Sequence, residues 1–164
     1  MRYFTKELWL RMNSDNEDER KAAEVLWTEN TKKYRNDLEI VKKLFPKLFE
    51  EIDWQNEDFH DLPFSEIAFF QRNGRKNCRV KLLATDRTIV FTMHEISRFD
   101  CSISDFQWSV MGQLHWGYSE VECVNDGNIK LSVLCDPANE IQFEFKKLTG
   151  KSYYGAVTGS ICSK

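Results

Sequence analysis

No stretch of this chain approaches the roughly 18 consecutive apolar residues that a membrane-spanning helix needs. The opening "MRYFTKELWLRMNSD" also lacks the apolar core and small-residue cleavage site of a secretory signal. A cytoplasmic protein is therefore expected. The five cysteines (Cys78, Cys101, Cys123, Cys135 and Cys162) are odd in number and scattered, with no C-x-x-C pair. That argues against a disulfide framework or a zinc site and for free thiols, mostly in a core. Glycine is scarce, at seven residues, and none stands in a phosphate-binding G-x-G-x-x-G or G-x-x-x-x-G-K. Serine never occurs as G-x-S-x-G, and the three histidines do not form H-E-x-x-H. No catalytic residue, cofactor site or metal site is expected from these patterns. A basic excess is missing as well: the net charge is −3, so nucleic acid is not the expected partner.

One further absence is local. Residues 99–129, "FDCSISDFQWSVMGQLHWGYSEVECVNDGNI", hold Asp100, Asp105, Glu120, Glu122 and Asp126 but no Lys or Arg, although the chain has 23 of them. Phe106, Trp108, Trp116 and Tyr118 lie in the same run. Aromatics beside acids make good anchors against an Arg- or Lys-rich surface, and acidic patches speed encounter with basic partners. The candidate partner-binding set is Asp100, Asp105, Trp116, Tyr118, Glu120 and Glu122. On a regular strand, Leu114, Trp116, Tyr118 and Glu120 would share one face. The competing arrangement buries Trp108, Trp116 and Tyr118 in the core and leaves the acids merely solvated.

What is present is enough for one α+β domain over 1–164. At this length a single core needs no disulfide or metal. In "NSDNEDER", Ser14 and Glu17 have capping-box spacing, and the following acids suit a helix start. Ala23, Leu26, Trp27, Tyr34, Leu38, Val41, Leu44 and Phe45 then recur at three- and four-residue steps. This predicts a long N-terminal helix over 15–45, with "MRYFTKELWL" before it open to either strand or short helix. Pro46 ends the helix and suits the start of a second, over 46–53. The helical arm spans 1–54. Period-two patterning follows over 59–147, with turns at Asn73-Gly74, Asp126-Gly127 and Pro137-Ala138-Asn139. Ile141, Phe143 and Phe145 alternate with Gln142, Glu144 and Lys146. An antiparallel meander sheet of five to six strands, with the helices packed on it, is expected. The tail 148–164 would be loose or add an edge strand.

His60-Asp61 is the one adjacent acid–base pair that draws notice. On a strand their side chains would point to opposite faces and not cooperate. A turn or backbone role is therefore expected ahead of a partner contact, and either ahead of catalysis. His94 and His115 stand isolated. A small enzyme or ligand-binding domain would instead need a pocket between helix and sheet that gathers His60, His94 or His115.

The opening "MRYFTKELWLRMNSDNEDE" leading into "AAEVLWTENTKKYRNDLEIVKKLFP" resembles a family of small uncharacterised bacterial proteins, with "FHDLPFSEI" and "TIVFTMHEISRF" similar to that family's His-Asp strand start and the strand after it. The stretch from the His-Asp pair through "LHWGYSEVE" looks like immunity proteins of bacterial toxin–immunity systems, including those of contact-dependent growth inhibition. That second resemblance implies a small cytoplasmic protein that binds one cognate toxin, often a basic nuclease, and blocks it without chemistry. No cofactor is implied.

Overall fold

The computed structural model describes residues 1–51, 59–102, 114–124, 127–136 and 139–154. Its helices are α1 (Lys6–Met12), α2 (Glu17–Leu44) and α3 (Pro46–Glu51). Its strands are β1 (Leu62–Arg72), β2 (Arg75–Leu83), β3 (Arg87–His94), β4 (Arg98–Ser102), β5 (His115–Val124), β6 (Asn128–Asp136), β7 (Asn139–Phe145) and β8 (Lys147–Tyr154). The class is α+β.

Two expectations need correction. The helical part is not one long helix from the N-terminus, because α1 precedes it. Thr5 caps α1 by accepting from the Leu8 N–H at 3.2 Å, which decides "MRYFTKELWL" in favour of helix. Asn16, not Ser14, caps α2: its Oδ1 accepts from the N–H groups of Asp18 and Glu19, while the Ser14 hydroxyl donates to Glu19. Of the apolar stripe on α2, Ala23, Leu38 and Val41 are buried, whereas Leu26 and Leu44 face solvent.

The second correction is the sheet. It has eight strands, not five to six, in the order β4-β7-β6-β5-β1-β2-β3-β8. The extra strands arise because two chain runs bend partway. Between the pairs His94↔Lys147 and Arg98↔Glu144, three residues (Glu95 to Ser97) face two (Phe145 and Lys146). That is a β-bulge, and Glu95 takes a φ of 57° within it. The hydrogen bonds Lys146 N–H to His94 and Ser97 N–H to Glu144 carry the pairing across the bend. β3 and β4 are thus one bent run, and so are β7 and β8. The pairing circuit β1–β2–β3/β4–β8/β7–β6–β5 closes back on β1 through two residue pairs, Leu62↔Trp116 and Pro63↔His115. Closure of this kind removes the open edges of a flat sheet. β8 takes residues to Tyr154 into the sheet, the added strand that was one of the two expectations for the tail 148–164. Residues 52–58 and 155–164 lie outside the described residues.

Ile89, Phe91, Met93, Trp116, Val121, Val133, Ile141, Phe143 and Phe145 form the core, each at most 3% exposed. Ile141, Phe143 and Phe145 face it in the alternation read from "EIQFEF". A second layer lies between β5 and α2. There Phe4 packs on Trp27 (4.8 Å between ring centres) and Tyr34 (5.5 Å), and Trp27 on Tyr118 (4.5 Å). The Val121 N–H donates to the Tyr34 hydroxyl at 2.9 Å, so α2 satisfies a main-chain donor of β5.

Candidate functional site

The acid-rich stretch does not form a common outward face. Its organising feature is a bulge in β5. Trp116 pairs with Cys135 and Tyr118 with Leu134, so Gly117 is an extra residue that reverses the alternation. Trp116 therefore points into the barrel, 1% exposed, and packs on Phe59, Phe64 and Phe91. Tyr118, Glu120 and Glu122 take the opposite face, beside the helices. Only glycine fits at the bulge, because a Cβ on residue 117 would lie 2.4 Å from the Leu134 carbonyl oxygen.

Glu120 was expected to meet a partner, and it is fully buried. Its Oε1 accepts from the N–H groups of Tyr3 (2.7 Å) and Phe4 (2.6 Å), and its Oε2 from that of Arg2 (2.8 Å). Three successive main-chain donors thus wrap one carboxylate, the arrangement of an anion-binding nest. Glu122 is half-buried and pairs across the strands with Lys130 at 3.1 Å. Asp100 is exposed and pairs with Arg98 at 2.6 Å. Asp105 lies outside the described residues, as do Phe106, Trp108 and Asp126. Trp116 and Glu120 are therefore corrected from partner contacts to interior residues, and the charges of Asp100 and Glu122 already have internal counter-ions.

Tyr118 does line a site, though it joins His60 and Asp61 there and not the acids of residues 99–129. It borders a cavity of about 270 Å³ together with Trp9 and Met12 of α1, Asn13, His60, Asp61, Gly117, Leu134 and Cys135. The turn that brings His60 and Asp61 there is closed by Leu62 N–H donating to the Phe59 carbonyl at 3.1 Å. Asp61, its third residue, has φ 65°, the left-handed value of a type II turn. Asp and Asn tolerate that region better than other residues with a Cβ. The Asp61 N–H donates to the Trp116 carbonyl at 2.8 Å, which locks the turn to β5.

The expectation that His60 and Asp61 diverge is thereby overturned. They sit in a turn, not on a strand, and His60 Nδ1 lies 2.9 Å from Asp61 Oδ2. The His60 ring meets Tyr118 edge-on at 4.9 Å. Burial pushes the Tyr118 phenol above its ordinary pKa, and the Asp61 charge adds to the rise. Asn13 donates through Nδ2 to the Trp9 carbonyl at 2.8 Å, which leaves its Oδ1 as an acceptor. Among the described residues, no Lys or Arg lies within ion-pair reach of Asp61.

His94 is remote in function: its Nε2 contacts the Thr149 hydroxyl at 2.9 Å, and neither it nor His115 lines the cavity. Among the described residues no three His, Cys, Asp or Glu side chains gather as a metal site would require. Cys78 and Cys135 are buried, and burial pushes the Cys78 thiol up to about 12; Cys101 and Cys123 are exposed. The thiols are thus less uniformly interior than expected. No helix among the described residues is long and apolar enough to cross a membrane. The chain matches no protein-family model and no curated protein.

Proposed function

We propose that this protein is a binding module of the immunity type, which neutralises a cognate bacterial toxin in the cytoplasm by forming a tight stoichiometric complex. The toxin is a basic protein, such as a nuclease. The reading draws on the resemblance of "FHDLPFSEI" through "LHWGYSEVE" to immunity proteins. One structural observation carries it furthest: Asp61 is an exposed carboxylate with no Lys or Arg beside it among the described residues, and it borders a cavity lined by Tyr118 and Trp9. A few residues beyond Asn13 in the chain stand the exposed acids Asp15, Glu17, Asp18 and Glu19 at the start of α2, of which Glu17 pairs with Lys21 and Glu19 with Arg11. Exposed acid at Asp61, Asp15 and Asp18 suits encounter with a positive surface. The contact face thus moves from residues 99–129 to the junction of α1, the Phe59–Leu62 turn and β5.

An immunity gene stands next to the gene of its toxin, and the test follows from that. The product of the gene immediately before this one should arrest bacterial growth when expressed alone. Co-expression of this chain should restore growth, and the two should purify as a complex of fixed stoichiometry. Absence of arrest, or arrest that this chain does not relieve, would overturn the reading.

The alternative is a small enzyme or ligand-binding domain, favoured by the His60–Asp61 contact at the cavity. A carboxylate on Nδ1 is the arrangement that orients a general base. Its test is the ratio of the two proteins in the growth assay: an inhibitory complex protects only near equal amounts, whereas protection by catalysis would persist far below them and fall by about 100-fold or more in His60→Gln.

A further inference from the structure

We infer that the cavity between α1, the Phe59–Leu62 turn and β5 is a receptor for one arginine side chain of the protein partner. The inference rests on the binding-module reading and names the group that the site would recognise. At about 270 Å³ the space falls just below the roughly 300–1,000 Å³ of pockets that enclose drug-sized molecules, and it suits a single long side chain.

Its chemistry is one-sided. Asp61 supplies a carboxylate, with His60 against one of its oxygens. Asn13 supplies an amide oxygen, because its Nδ2 is committed to the Trp9 carbonyl. Tyr118 and Trp9 supply half-buried aromatic surface, and Met12 and Leu134 supply apolar surface for a methylene stem. A carboxylate, an amide oxygen and aromatic rings in one lining fit a planar guanidinium, which forks onto carboxylates and stacks on aromatic faces. An acidic ligand would meet Asp61 with no Lys or Arg of the described residues to offset it.

The backbone points the same way. Asp61 holds a left-handed φ of 65°, a conformation that glycine adopts more readily than any residue with a side chain. The turn is held by the main-chain bonds of Asp61 and Leu62, and His60 meets one carboxylate oxygen, Oδ2. A ligand of opposite charge gives the exposed side chain a further purpose.

The experiment uses two peptides, acetyl-Gly-Arg-Gly-amide and its neutral counterpart with citrulline, titrated into the intact protein. The Trp9 indole N–H and the Asn13 side-chain amide are followed by NMR. The arginine peptide should give saturable shifts at both probes in the millimolar range typical of one isolated contact. The citrulline peptide should bind at least tenfold more weakly. Asp61→Asn, which keeps a residue tolerant of the turn, should weaken arginine binding at least tenfold, and Asp61→Gly should do the same in the backbone's preferred residue. No saturable shift, an equal response to citrulline, or undiminished binding by both variants would overturn the inference. Failure here with growth rescue intact would leave the immunity reading standing and move its contact elsewhere. Arginine binding without rescue would remove the toxin and keep the pocket.

Discussion

Glu120 and Asp61 are carboxylates at the borders of one aromatic cluster, yet they meet opposite fates. Tyr118, two residues from Glu120, touches Phe4 and Trp27 on one side and His60 on the other. Glu120 is sealed from water and holds the N–H groups of Arg2, Tyr3 and Phe4. Asp61 is exposed, and among the described residues its ion-pair contact is with its neighbour His60. Burial of a charge is tolerated when oriented donors replace water, and the main chain does that for Glu120. The difference teaches that an acid-rich stretch says little about a binding surface until each carboxylate's internal partners are known. An acid that the fold uses is withdrawn from recognition, and one that the fold leaves open remains available.

The sharpest way to break this contrast is Glu120→Ala. It leaves three main-chain donors beneath α2 without their acceptor, and the N-terminal segment loses its tether to β5. The expected loss is about 3–5 kcal/mol of stability, read from the midpoint of a urea unfolding curve. A loss under about 1 kcal/mol would mean that the nest is not what holds residues 2–4. Glu120→Gln, which keeps one acceptor and introduces unwanted donors, should fall between Ala and the natural residue.

Gly117→Ala is next. The added methyl meets the Leu134 carbonyl oxygen at 2.4 Å, so the bulge must open or β6 must shift. About 2 kcal/mol of destabilisation is expected by the same measurement. Because the bulge sends Trp116 inward and Tyr118 outward, the change should also disturb the cavity. A neutral result would show that the bulge relaxes freely and that the alternation on β5 is less firmly set.

Ser132 sharpens the comparison from the other direction. It stands opposite Glu120 across β5 and β6, is fully buried, and its hydroxyl finds no hydrogen-bond partner among the described residues. Ser132→Ala removes a stranded polar group and should raise stability by up to about 1 kcal/mol. A clear loss instead would reveal a hydrogen bond from this hydroxyl, and Glu120 is the natural acceptor.

Much of the architecture was legible because it depends on local periodicity. The three- and four-residue spacing from Ala23 to Val41 encodes α2, and Ile141, Phe143 and Phe145 encode an inward-facing strand. What escaped depends on contacts between distant segments. The bends that split β3 from β4 and β7 from β8 carry no Gly or Pro; they arise where Glu95 adopts a positive φ. The role of Glu120 requires residues 2–4, far away in sequence. Gly117 was the one local clue to the β5 bulge, since an isolated glycine within a strand pattern marks a bulge or a close backbone approach. Read that way, "HWGYSE" would have separated Trp116 from Tyr118 at once. For His60-Asp61 the expected turn and backbone role is found, but the divergence of the two side chains, argued from strand geometry, does not hold in a turn.

The smallest expected effect tests where the contact face lies. Asp100 and Arg98 pair at 2.6 Å but are both well exposed, at 48% and 64%, so solvent screens most of their attraction. Asp100→Asn should change stability by less than about 0.5 kcal/mol. It should leave affinity for the proposed basic partner within about twofold, because the proposed contact centres on Asp61. A tenfold loss on Asp100→Asn, measured by calorimetry against a partner isolated through the growth test, would return the binding surface to β4, as residues 99–129 suggested. A charge reversal at Glu120 could not serve the same purpose. It would place a second set of donors against the three already there, and any lost binding would report a lost fold.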